Sequence, residues 1–176
     1  VITGTPAPPP TGDTEDDGGT GKTLTALKLI VDLARARQQG GTGQVQVRLP
    51  ATAWPGGSIE AWLNLQLQQA WGVPRGQARM LLGRQLVLPV IDGVDELDQD
   101  DTPDASSLAA ALMSQINVYQ QGLQPAPVIL TCRRLQYEAL VRDDVSARTV
   151  AVIQLDRVTP AQARDFLEHR VADTPA

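Results

Sequence analysis

The chain has 176 residues, with 15 Lys and Arg against 20 Asp and Glu, a net charge of −5 and a pI near 4.8. This length suits one α/β domain with a substantial core, while the acidic balance, with no basic cluster longer than Arg133-Arg134, argues against a nucleic-acid partner. A lone cysteine, Cys132, excludes an internal disulfide framework and suits a reducing cytosol, and neither a membrane-length apolar run nor a basic-then-apolar signal segment is present.

The chain starts inside an apolar strand and closes on the loose run 172–176 (ADTPA), as expected of one domain, 1–176, cut from a longer protein. Near the start stands Gly19-Thr20-Gly21-Lys22-Thr23, the end of a phosphate-binding loop, but Asp16 stands where the first glycine of the contiguous pattern belongs. The polar run 11–17 (TGDTEDD) cannot be the buried strand that should precede such a loop. Removing 7–18 (APPPTGDTEDDG) leaves a short strand ending at Gly4, Thr5 and Pro6 and running into Gly19 to Thr23. We read these as one composite loop with a solvated insert at its tip, since the insert has no apolar face to bury. The alternative is a contiguous loop from Gly18 that lacks its first glycine.

Further along, 24–38 carries Leu27, Ile30, Val31 and Ala34 at helical spacing, and 44–49 alternates as a strand before Pro50. Ser58 is placed to cap a helix over 59–71 with Ile59, Trp62, Leu63 and Leu67 on one face, and 76–84 forms a second, short helix. The continuous apolar run 86–91 reads as a central strand, 98–107 as an acidic linker and 108–119 as a helix. A further buried strand, 127–131, is closed by Cys132-Arg133-Arg134, a last strand covers 149–155, and Thr159 caps a helix over 160–171. Strands alternating with helices predict an α/β fold, the three-layer P-loop sandwich with a mainly parallel central sheet and helices on both faces. In such sheets ligands lie beyond the carboxyl ends of the strands, where Gly19 to Thr23, Asp92 to Glu96 and Arg133 all fall.

The chemistry follows from the residue types. Glycines let backbone N–H groups crowd around phosphates, Lys22 offers a point charge, and the Thr23 hydroxyl reaches Mg²⁺. Asp92 ends an apolar strand, where a carboxylate is costly unless paired or metal-bound, so it is the second metal-holding candidate. Of Asp95 and Glu96, one positions or deprotonates the attacking water while the other caps a helix or faces solvent; position favours Asp95. Arg133 either senses the γ-phosphate or pairs with the acidic stretch 98–101. Cys132 reads as a buried structural cysteine, His169 as a solvated helix residue, and Trp54, Trp62 and Trp71 as core or loop anchors.

The box Asp92-Gly93-Val94-Asp95-Glu96-Leu97, with a small residue after the first aspartate and acids three and four positions on, resembles that of the NACHT family of signal-transduction ATPases, the STAND class. Val45 to Leu49, the Trp62-Leu63 helix, and Thr131-Cys132-Arg133, which is similar to the family's Thr-Ser-Arg sensor, support the resemblance, as do Gln154-Leu155-Asp156 and 159–167. It implies a cytoplasmic domain that binds ATP or ADP with Mg²⁺, hydrolyses slowly and switches a larger protein between closed and self-associating states. The chain departs from the family in the loop insert and in lacking the downstream helical and winged-helix modules. Two rivals stand beside it: a degenerate scaffold whose acidic insert blocks the loop, and a small-molecule P-loop kinase.

Overall fold

A computed structural model describes residues 1–4, 21–98, 106–121, 126–145, 151–155, 159–162 and 164–165. Five parallel strands, β1 (Ile2–Gly4), β2 (Val45–Pro50), β3 (Val87–Asp92), β4 (Ile129–Arg133) and β5 (Ile153–Leu155), form one sheet in the order β2-β3-β4-β1-β5. Among the described residues five α-helices are bounded at both ends: α1 (Lys22–Gln38), α2 (Ile59–Gln69), α3 (Arg75–Gly83), α4 (Leu108–Tyr119) and α5 (Arg134–Arg142).

The step from β1 to β2 carries the chain towards one edge of the sheet, and every later step carries it the other way. With right-handed crossovers this puts α1 on one face and α2 to α5 on the opposite face. Strand alternation agrees. Val47 and Leu49 of β2, Ile91 of β3, and Leu130 and Cys132 of β4 join Trp62, Leu63, Leu82, Met113, Ile116 and Leu140 in one buried cluster to which α1 contributes nothing. α1 instead lies across β1 to β4 with Ala26 as its buried contact.

Several expectations hold in detail. Ser58 accepts a hydrogen bond from Ala61 N–H at 3.4 Å and caps α2 as expected; Ser107, the last residue of the linker 98–107, also acts as a cap, accepting Ala110 N–H at 3.0 Å at the start of α4. Thr159 and Gln162 cap one another reciprocally at 3.2 and 2.9 Å, opening a helix at Pro160. Trp62 is in the core and the partly buried Trp54 packs against the core, as expected, whereas Trp71, read as an anchor, is exposed.

Others are corrected. Leu27 and Val31 of α1 are exposed, and the half-buried positions are Leu29, Ile30, Leu33 and Ala34. The helix has rotated so that the small Ala26 side chain meets the sheet, which permits close approach. Cys132 and Arg133 belong to β4 itself, and α5 follows at once, with no loop and no side-chain cap. Nothing in the turn chemistry marks that start. Among the described residues of 149–155 only 153–155 pair as a strand, and α2 ends at Gln69 rather than residue 71. No helix among the described residues is long and apolar enough to cross a membrane.

Trp62 fills the contact between α2 and the sheet at 2% exposure. Trp62→Ala should therefore lower unfolding stability by about 3–5 kcal/mol, read as a reduced urea midpoint at unchanged slope.

Candidate functional site

Gly21 closes the approach to α1 with φ 77°, a left-handed conformation that costs an L side chain strain, and accepts the Thr25 N–H at 2.8 Å. Having no side chain, Gly21 caps none of the first-turn N–H groups of α1, so they remain suited to an anion. Lys22 and Thr23 are the first two residues of that helix. Lys22 is close enough to the end of β4 for its charge to act on the Cys132 thiol.

Thr23 reaches across to the end of β3, where its hydroxyl donates to Asp92 Oδ1 at 3.2 Å. Thr131 of β4 donates to the same oxygen at 2.6 Å and accepts the Gly93 N–H at 2.7 Å. Arg48 of β2 donates to Asp92 Oδ2 through Nε at 3.1 Å and Nη2 at 2.5 Å. The two strands flanking β3, together with α1, thus converge on one carboxylate that is 5% exposed. Period-two alternation explains the convergence. Val47, Leu49, Ile91, Leu130 and Cys132 point into the α2–α5 core, so their neighbours Arg48, Asp92 and Thr131 point to the α1 face.

Burial pushes the Asp92 carboxyl up, but hydrogen bonds from Thr131 and Arg48, the Arg48 charge and the Thr23 hydroxyl outweigh it and hold the group below its ordinary value near 3.8. The donor set fits Mg²⁺: one hydroxyl and one carboxylate offer hard oxygens, and the described residues contain no cluster of three acidic, His or Cys ligands that would form an all-protein cage. Mg²⁺ keeps several waters and shares its remaining positions with phosphates.

Beyond Asp92 the chain turns at Gly93, φ 79°, into a 3₁₀ turn over Val94–Glu96. The positive φ is what calls for glycine at position 93, and the exposed Glu96 carboxylate folds back over it, 2.8 Å from where a Cβ would stand. Asp95 is held by Arg133, whose backbone N–H donates to Oδ1 at 3.0 Å and whose Nε pairs with Oδ2 at 3.1 Å. The side chain of Asp95 is 5% exposed, whereas Glu96 is open to solvent. Asp98 accepts the Leu108 and Ala109 N–H groups at 2.8 and 2.9 Å and so holds the start of α4. Cys132 is fully buried, and burial, then the Asp95 charge, push its thiol strongly upward, which suits a structural residue and not a nucleophile.

The structure therefore brings Lys22, Thr23, Asp92, Asp95, Glu96 and Arg133 to one end of the sheet. Gly4 lies there too, level with Arg133 on one side and Leu155 on the other. The ion pair of Arg133 seen among the described residues is with Asp95, and residues 99–101 of the acidic stretch lie outside them. Thr5, Pro6, Gly19, Thr20, the insert 7–18, His169 and the tail 172–176 lie outside the described residues. Sequence reasoning missed Arg48 and Thr131. The available signal was polar residues in strands flanking β3, at positions whose parity matches Asp92.

No protein-family model matches the sequence, and no curated protein matches it. Among solved structures the chain is similar to the ORC2 protein of Aeropyrum pernix in its ADPNP–ADP complexes, with 16% identity and a TM-score of 0.62 over 97% of this chain. The chain spans 45% of that protein's length. At this identity the likeness shows the fold: an α/β sandwich of the P-loop NTPase type, with a parallel central sheet and helices.

The lowered pKa of Asp92 has a stability consequence. An Asp held below its unfolded value adds stability that is complete above the unfolded value near 3.8 and is lost as pH falls through the lower, folded value. Asp92→Asn should remove this dependence, giving a flatter acid limb below about pH 4 in chemical denaturation, together with a lower midpoint at neutral pH.

Proposed function

We propose that the chain is the nucleotide-binding core of a NACHT-like signalling ATPase, which binds ATP or ADP with Mg²⁺ and hydrolyses ATP slowly. The observation that carries this reading is the Thr23–Asp92 hydrogen bond, which joins the start of α1 to the end of β3 at the carboxyl edge of a parallel sheet. A hydroxyl and a strand-terminal carboxylate meeting beside a glycine-led helix start and a lysine are what a phosphate-and-metal site requires.

Bound Mg²⁺ would supply neutralisation of charge on the outer phosphates. Thr23 and Asp92 would hold it, the first-turn N–H groups of α1 would face the phosphates, and Lys22 would place a positive charge on them. Arg133 keeps both its pairing with Asp95 and its place at the end of β4, which suits a positioning residue for the γ-phosphate. Both oxygens of Asp95 are engaged by Arg133, so we assign the water-orienting role to Glu96, the exposed carboxylate of the pair. Water then attacks the γ-phosphorus, the bond to the leaving ADP oxygen breaks, and Glu96 takes the proton of the water. The self-association of a longer protein, and its cytoplasmic setting, belong to the same proposal.

Calorimetric titration with Mg²⁺-ADP and with a non-hydrolysable ATP analogue should show binding that Lys22→Ala weakens by at least about tenfold. Absence of binding by the folded chain would sink the proposal and favour an assembly scaffold.

Single-turnover hydrolysis separates the two acids. Glu96→Gln should retain nucleotide binding while slowing hydrolysis by about 10²–10⁴-fold. Asp95→Asn should chiefly lower the melting temperature, by the equivalent of about 1–3 kcal/mol, because the Arg133 guanidinium and N–H lose their carboxylate partner.

A further inference from the structure

We propose that Arg48 is a tethered cation that competes with the divalent metal for Asp92, so that metal entry requires the guanidinium to leave the carboxylate. This rests on the reading of Thr23 and Asp92 as the metal-holding pair.

The geometry gives Asp92 two differently used oxygens. Oδ1 takes hydroxyl donors, Thr131 at 2.6 Å and Thr23 at 3.2 Å, whereas Oδ2 takes both nitrogen donors of Arg48, at 3.1 and 2.5 Å. A hydroxyl can hydrogen-bond the carboxylate and coordinate a cation in turn, since its own oxygen keeps lone pairs. A guanidinium cannot: it has no acceptor and it never loses its charge near neutral pH. Arg48 therefore occupies part of the coordination capacity of Asp92 and repels a second cation from the same carboxylate.

The two partners are also unequally held. Asp92 is 5% exposed and fixed by three elements, but the Arg48 side chain is 39% exposed and extends from β2. In the β2–β3 ladder Arg48 stands level with Val90, while Pro50 is level with Asp92, so the guanidinium reaches forward along the sheet to find its partner. A long side chain anchored two residues back can swing towards solvent without moving the backbone. The carboxylate cannot follow it.

This arrangement makes Arg48 a stand-in for the metal. It balances the buried Asp92 charge while the metal is absent, and its departure is part of the cost of metal binding. Metal affinity is then set by the difference between two cations and not by Asp92 and Thr23 alone.

The test uses the full chain, with Mn²⁺ as probe, read by electron paramagnetic resonance with and without ADP. Thermal midpoints are recorded across an Mg²⁺ titration, and ADP affinity is measured in EDTA on the same samples. Arg48→Gln should lower the metal-free midpoint, bind Mn²⁺ about tenfold more tightly in the presence of ADP, the scale of one charge-assisted hydrogen bond, and gain more from Mg²⁺ than the wild type. Arg48→Lys keeps the charge but loses the forked contact, and should fall between the two. If Arg48→Gln does not fold, Arg48→Lys decides: Mn²⁺ affinity no higher than wild type overturns the proposal. In a folded Arg48→Gln chain, equal or weaker Mn²⁺ binding does the same while ADP binding persists, leaving Arg48 a simple counter-ion. A wild-type chain that binds ADP neither with metal nor in EDTA removes the nucleotide reading, and the metal competition with it.

Discussion

A buried carboxylate at the end of a central strand is the constraint around which this domain is arranged. Asp92 has lost almost all of its contact with water, and an ionised group in that position must be surrounded by donors or be neutralised. The chain brings donors from β2, β4 and the first turn of α1, so residues 23, 48, 92 and 131, remote in sequence, are obliged to meet. Strand order makes this possible. With β3 between β2 and β4, side chains of matching parity on both neighbours share the face of Asp92, within reach of Arg48 and Thr131, and α1 crosses that same face.

A second centre lies on the adjacent turn. Asp95 takes the backbone and side chain of Arg133, tying the turn after β3 to the junction of β4 and α5. The two centres differ in character. Asp92 is shared among two hydroxyls and an arginine drawn from three different elements, whereas Asp95 is committed to one arginine. Two carboxylates separated by two residues thus acquire different roles from their surroundings, and a third, Glu96, remains at the surface over Gly93.

The sequence made the architecture legible because its signals were local. Continuous apolarity announced β3, Ser58, Ser107 and Thr159 stood at helix starts, and apolar spacing drew out the buried face of α2. The glycine-led Lys22-Thr23 start and the acids after β3 pointed to residues that the fold gathers at one edge of the sheet. Less legible were features that depend on neighbouring strands. Arg48 looks like the exposed member of an alternating strand until its side chain, level with Val90 in the β2–β3 register, reaches forward to Asp92, and Thr131 looks like an ordinary β-branched strand residue. α5 escaped notice because it starts on the last residue of a strand, without a turn or a capping side chain. Ile30 and Ala34 of the expected α1 face are half-buried, but Leu27 and Val31 are exposed, because periodicity weighs large residues while close packing selected the small one at Ala26.

Asp98 gives the site a reach beyond its own residues. Its carboxylate grips the start of α4, and it stands only two positions after Glu96, on the same short turn that follows β3. α4 in turn packs against α2 within the main core. The segment after Asp92 is therefore pinned at both ends, by Asp95 to the end of β4 and by Asp98 to the start of α4, so that one short stretch of chain links the carboxyl edge of the sheet to a helix buried in the main core.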